Sequence, residues 1–276
     1  MLQIHVNENN HAFNYILSIK YAGKINKNLI AYLIKLFKDG HMVKSKKTDN
    51  EKQEDSSQTA YYGIRHMLYN KELMPGQRIS YRDLADKLEL SSTPIIQALK
   101  WLELQGYVIH EPNRGYSMAP FSLNEVQELY EIRELIEPSL VPAALEKLDK
   151  NGINELKKAL EAHLSAEREF YLKERLFKNK EFHMTLASLS GKTVQIRILQ
   201  NIFDMLFLKY GGNYFPISSL SSTDQAHQEI FDAVSLRSLE RAQSVLKNHL
   251  TNVKIQIMNS FKKMLEEQEK TDFWIK

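Results

Sequence analysis

Nine histidines and no cysteine set the chemistry open to this 276-residue chain. Without thiols there is no disulfide, no thiolate metal site and no cysteine nucleophile, so a metal ion would have to be held by His, Asp, Glu or Asn. The histidines stand at positions 5, 11, 41, 66, 110, 163, 183, 227 and 249. A different polar chemistry gathers between residues 80 and 115. Ser91-Ser92-Thr93-Pro94 puts hydroxyls ahead of a proline, a pattern that starts helices. Glu111-Pro112-Asn113-Arg114-Gly115 carries a cation on a turn. A formal net charge of +3 permits contact with nucleic acid without arguing for it; a local basic cluster is what would argue for it.

The elements that must position these residues fall into three parts. Residues 1–58 read as an N-terminal extension and linker. Phe13 to Phe37 has loosely helical apolar spacing, and residues 44–58 are charged and almost free of apolar side chains. That composition predicts a flexible linker, and Met42 just ahead of it offers an alternative start. Residues 59–120 predict three helices and a hairpin. A helix over Thr59–Asn70 is followed by a turn at Pro75-Gly76, then by a short helix Tyr81–Leu88 capped by Ser80. A third helix from Ser92 is ended by Gly106. The runs Tyr107–His110 and Tyr116–Met118 flank the Arg114 turn as β-prone segments. Leu84, Ala85, Leu88, Leu90, Ile95, Ala98 and Leu99 form the expected seam of the helix pair. Residues 121–270 carry helical periodicity almost throughout, with breaks near Asn151-Gly152, Ser190-Gly191 and Gly211-Gly212. The fold class is therefore mainly α: a winged helix-turn-helix followed by an all-α antiparallel bundle of six or seven helices. No stretch is long and apolar enough for a membrane span, and the start lacks a secretory signal.

Three segments of the first half together resemble the DNA-binding domain of GntR-type bacterial regulators. They are the lead-in Glu72-Leu73-Met74-Pro75-Gly76, the core Leu84–Ile95 and the wing Leu102–Gly115. The resemblance implies a cytoplasmic homodimer on a palindromic double-stranded operator, with each recognition helix in a major groove and each wing at the neighbouring minor groove. It assigns Arg82, Ser92, Thr93, Ile96, Gln97, Lys100 and Arg114 to the DNA face. The family pattern S-R-T-P-V-R-E-A-L has two arginines that stand here as Ser92 and Ile96. Losing bidentate Arg–guanine contacts, worth about 1–3 kcal/mol each in discrimination, predicts an A·T-richer operator.

The second half resembles the FCD type of GntR effector domain. The opening Leu129-Tyr130-Glu131-Ile132-Arg133 with Leu135-Ile136-Glu137-Pro138 matches its start. Phe182-His183 with Ser190-Gly191 matches its middle, and His227 to Ala233 with His249-Leu250 matches its end. These matches imply a metal site of Asn179, His183, His227 and His249. Asn179 and His183 are four apart on one helix face, and His227 and His249 lie on two further helices. Three imidazoles and one oxygen suit Zn²⁺ or Ni²⁺. Asn179 stands where the family places Asp, which predicts weakened metal affinity. The resemblance also implies a small organic-acid effector in the bundle, with Arg133 as its anion contact unless Glu137 claims that arginine in a salt bridge. Arg197 is a second candidate. Tyr130 and Phe182 read as wall residues, and the other six histidines as solvent-facing. The resulting expectation is an effector-modulated repressor without catalytic residues. Two rivals stay open: a metal-dependent enzyme, and a degenerate regulator that senses nothing.

Overall fold

The computed structural model describes residues 49–165, 172–210 and 220–275, and Gln53–Lys276 form one compact unit. The expectations for residues 1–48, including Met42 and His5, His11 and His41, and the Gly211-Gly212 break lie outside the described residues.

The first helix, α1 (Asp49–Tyr69), begins ten residues before the expected Thr59, so much of the charged run is helical rather than linker. Its apolar residues Ala60, Ile64, Met67 and Leu68 recur at three- and four-residue spacing and are all buried. A two-residue strand β1 (Arg78–Ile79) follows, which was too short to be visible as a periodic run. Helix α2 (Tyr81–Leu88) is capped as expected by Ser80, whose hydroxyl accepts from the Asp83 amide at 3.2 Å. It stops because Glu89 turns left-handed (φ 55°) and returns its amide to Ala85 and Asp86.

Helix α3 (Ser92–Leu104) starts at Ser91, but that hydroxyl makes no capping bond. The expected hydroxyl cap is thus replaced by a bare helix start. Gly106 (φ 79°) lets the chain reverse into β2 (Val108–Glu111), which pairs antiparallel with β3 (Gly115–Met118). β1 adds to the far edge of β3, giving the order β1-β3-β2. Ile95, Ala98, Leu99 and Leu102 of α3 pack with Leu84 and Ala85 of α2, with Ile64 and Leu68 of α1, and with Val108 and Met118 of the hairpin. Leu88 and Leu90 sit half-buried at the edge of that core.

Among the described residues the second half is six helices: α4 (Leu123–Lys147), α5 (Lys150–Ser165), α6 (Leu172–Leu189), α7 (Thr193–Leu208), α8 (Leu220–Ser235) and α9 (Leu239–Ile275). Ser122 caps α4 through the Glu125 amide. Pro142 lies inside α4 and has no N–H to give the carbonyl of Pro138. The side chain of Gln243 donates to that carbonyl instead, at 3.0 Å. A break in one helix is thereby turned into a tie between α4 and α9. Three apolar clusters fill the bundle among the described residues: one is built on Leu156, Phe182, Ile230 and Leu246, one on Val126, Ile202, Tyr210 and Phe261, and a smaller one on Leu140, Ala187, Leu199 and Phe203.

Candidate functional site

Between these cores the bundle buries a set of ionisable groups. α6 supplies His183, α8 supplies His227 and α9 supplies His249; each is at most 4% exposed. One ligand-type nitrogen from each ring lies within 4.8 Å of the other two. The helices α6, α8 and α9 bring these rings together because each histidine lies among apolar neighbours at helical spacing: Phe182 and Leu186, Ile230, Leu246 and Leu250.

The second atom of each ring decides its tautomer. His183 Nδ1 stands 2.6 Å from Glu137 Oε2, and His227 Nδ1 stands 2.7 Å from the Thr223 carbonyl. Glu137 is held well below the usual carboxylate range, at about 2: burial opposes ionisation, but His183 and Arg133 more than offset it. Both neighbouring oxygens therefore accept, so both Nδ1 atoms carry the proton. The two Nε2 atoms are then lone pairs, and they face each other at 3.3 Å. Burial, with the neighbouring histidines, pushes the pKa of His227 well down, and burial does the same for His249. The spacing of the pair is that of two ligands on one cation: with metal–nitrogen bonds of about 2.0–2.1 Å, two tetrahedral ligands lie roughly 3.3 Å apart. The donor set fits a borderline divalent ion.

Arg133 takes the alternative that the sequence left open. Its Nε donates to Glu137 Oε1 at 2.7 Å in a pair at most 3% exposed. Its guanidinium lies over Phe203 (4.3 Å) and Tyr130 (5.0 Å). Arg133 thus orients Glu137, which orients His183, the outer-shell arrangement that fixes a ligating imidazole. Asn179 is half-buried and lines a cavity of about 30 Å³ beside this pair, with Arg133, Lys180, Tyr130 and Phe203 among the other walls. Arg197 is exposed on α7 and lines neither that cavity nor the histidine cluster. Phe182 and Tyr130 are buried walls, as expected.

Two groups escaped the sequence reading. His163, expected in solvent, is 1% exposed, and its ring lies 4.3 Å from that of His227. The signal was present: Leu156, Leu160 and His163 follow i, i+4, i+7, which puts the histidine on the buried face of α5. Asp204 of α7 was also missed. It accepts from Arg65 of α1 at 2.7 Å and from Lys180 of α6 at 2.5 Å. Both cations hold its carboxyl low against burial. Nothing in the local sequence around Asp204 foretells partners so far away along the chain.

The residues expected to meet DNA are open to solvent. Arg82, Thr93, Gln97, Lys100 and Arg114 are exposed, and Ser92 and Ile96 half-exposed. A groove of about 580 Å³ runs between α3 and the hairpin, with Ile96, Lys100, Glu103, His110 and Tyr116 among its walls. Arg114 at the hairpin tip is tethered only to the exposed Glu111, at 3.4 Å.

A winged helix-turn-helix joined to a helical bundle with a polar centre is the architecture of a DNA-binding regulator. The family comparisons agree. Residues 56–117 match the bacterial regulatory proteins of the gntR family, and residues 128–252 match the FCD domain. The chain belongs to the GntR family of transcriptional regulators, in its FCD-bearing branch. It is 24% identical over 193 residues to the HTH-type regulator YdhC of Bacillus subtilis (strain 168), covering 70% of this chain and 86% of that one. It is 25% identical over 208 residues to LutR of the same organism, covering 68% and 94%. A solved GntR-type regulator from Rhodococcus sp. RHA1 shares the fold, with a TM-score of 0.62 at 20% identity over 75% of this chain and 98% of that one. Among the described residues no helix is long and apolar enough to cross a membrane.

Proposed function

We propose that this regulator holds a divalent metal, Zn²⁺ or Ni²⁺, on His183, His227 and His249, and that a small organic acid binding beside it alters operator affinity. The observation that carries the metal is the facing pair of Nε2 atoms, whose outer nitrogens are already committed to acceptors. When bound, the metal supplies a Lewis-acidic point that a carboxylate can join. Arg133 and Glu137 hold the imidazole of His183 in register. Lys180, on the wall of the adjoining cavity, is the cation best placed for the other end of an acid, since its pair with Asp204 is partly exposed whereas that of Arg133 with Glu137 is fully buried.

The route to DNA runs through Asp204. An anion that draws Lys180 away leaves Asp204 to Arg65 and the neutral Gln200, and Arg65 belongs to the first helix of the DNA-binding half. An effector can shift this balance only by its difference in affinity for the two arrangements. On DNA, two copies would place α3 in successive major grooves of a palindromic site. The uncapped amides at Ser92 and Thr93 would face phosphate.

Calorimetry on the full chain with Zn²⁺, then with a panel of C2–C6 organic acids, tests this directly. Stoichiometric zinc binding that is lost in His227→Ala, and acid binding that changes affinity for an operator fragment, are the expected results. A chain indifferent to zinc overturns the metal reading. One observation favours a second reading, a metal-stapled regulator that senses no acid. The cavity beside Arg133 is about 30 Å³, room for a water rather than an organic acid. That reading predicts zinc binding with no acid binding at all.

A further inference from the structure

His163 has no role in the site described so far, yet its environment is that of a ligand. It sits in the last turn of α5, is 1% exposed, and neither ring nitrogen makes a hydrogen bond within the described residues. A buried polar group left unsatisfied costs about 1–3 kcal/mol, so such a ring calls for an ion or a water that answers it. Asp224 Oδ1 stands 3.5 Å from Nε2, and Asp224 is itself ion-paired with the buried Arg175. A carboxylate on that side favours the proton on Nε2 and leaves the Nδ1 lone pair available.

His183 has one nitrogen on Glu137 and His227 has one on the Thr223 carbonyl; His163 Nε2 stands 3.5 Å from Asp224 Oδ1 without a hydrogen bond, close enough to take up the same arrangement when the ring turns. An oxygen acceptor on the outer nitrogen is the outer-shell signature of a ligating histidine. His163 already lies against the ring of His227, at 4.3 Å between centroids and 40° between planes.

From this geometry we infer that His163 is a fourth imidazole ligand, brought by α5 to the ion held by His183, His227 and His249. Its nitrogens lie outside the 4.8 Å grouping of the other three, so ligation requires the ring to turn toward them. The inference rests on the metal reading above and sharpens it. Four imidazoles close a tetrahedral shell, and an acid can then reach the metal only by displacing one of them. His163 is the ligand with the least tethering, and its departure would report on α5.

The test uses the full chain labelled with ¹⁵N in its histidines and loaded with one equivalent of ¹¹³Cd²⁺, which splits only the ring nitrogens bonded to it. Four split nitrogens are expected, one of which disappears in His163→Phe, together with a roughly tenfold loss in zinc affinity measured against a competing chelator. His163→Gln provides the same assignment if the larger ring disturbs packing. Three split nitrogens that persist unchanged in both variants overturn the inference and leave the three-histidine site standing. No split nitrogen, with no zinc binding by calorimetry, overturns both.

Discussion

The two halves of this chain place their working residues on opposite sides of the surface. In the DNA-reading half the core is apolar, and Arg82, Thr93, Gln97, Lys100 and Arg114 all stand outside it. In the helical half the order is inverted: every buried histidine, acid, lysine or arginine among the described residues lies at or beyond Arg133. Function and stability are therefore separable in the first half and tied together in the second. A side chain facing a DNA groove can be exchanged with little consequence for folding. A side chain in the histidine centre cannot, because Glu137 there answers both the buried Arg133 and the buried His183.

The largest effect should come from Glu137. Removing it as Glu137→Ala leaves the Arg133 guanidinium buried without its partner and unties His183. Breaking such a buried pair from one side costs about 3–5 kcal/mol. Urea denaturation of the metal-free chain measures this. A loss below about 1 kcal/mol would mean that water reaches the pair, and the contrast between the halves would then weaken.

Acid should act next, and on the helical half alone. His163 titrates at about 4 in the folded chain against an ordinary 6.5, because burial and Arg175 disfavour its charge. Between those values the unfolded chain binds the extra proton, so stability rises with pH across that window and is lost as pH falls from 6.5 toward 4. At 1.36 kcal/mol per unit, the loss is on the order of 3 kcal/mol. His227 and His249 shift in the same direction. Melting curves of metal-free wild type and His163→Phe should differ in slope between pH 4 and 6.5, the variant showing the shallower one. Parallel curves would show that this ring titrates freely.

The same contrast explains what the sequence could disclose. Surface chemistry on a periodic scaffold is readable: Ser80, Gly106 and the Arg114 turn are found where local rules put them, and Leu84, Ala85, Ile95, Ala98 and Leu99 of the expected seam are buried, with Leu88 and Leu90 at its half-buried edge. Helical periodicity also delivered the bundle, and the three clustered histidines were named from resemblance. Partnership across the core was not readable. Whether Arg133 faces an effector or Glu137 depends on which groups the fold brings within reach, and the link from Arg65 through Asp204 to Lys180 spans three helices. His163 is the instructive failure, since its spacing marked it as buried while its polarity argued for solvent. The helix over 49–58 was missed for the opposite reason: a polar composition that reads as linker is continued into α1 by the helix that follows it.

Asp204 should give an intermediate effect that crosses between the halves. Asp204→Asn keeps the shape but removes the charge that Arg65 and Lys180 share, each hydrogen bond to a charged group being worth about 1.5–3 kcal/mol. The expected result is a loss of about 2 kcal/mol in stability, with an operator affinity that no longer responds to any acid the wild type senses. Retained response in a folded variant would remove Asp204 from the path between cavity and DNA.

The smallest change in stability should come from the DNA face, where the comparison is sharpest because binding changes while folding does not. Lys100→Ala and Arg114→Ala alter exposed side chains, so stability should move by less than about 0.5 kcal/mol. Each removes one cation near phosphate, which should weaken operator and non-specific DNA alike and lower the slope of log affinity against log salt by about 1. Ile96→Arg tests specificity on the same surface. Ile96 is half-exposed on the groove wall beside Lys100, where an apolar tip can meet a thymine methyl but cannot donate to guanine. The variant should fold as well as wild type, bind more tightly overall, and shift sites selected from random DNA toward guanine by about 1–3 kcal/mol at one position per half-site. Unchanged selection would show that α3 presents a different residue to the bases, and that its register in the groove is not the one this face suggests.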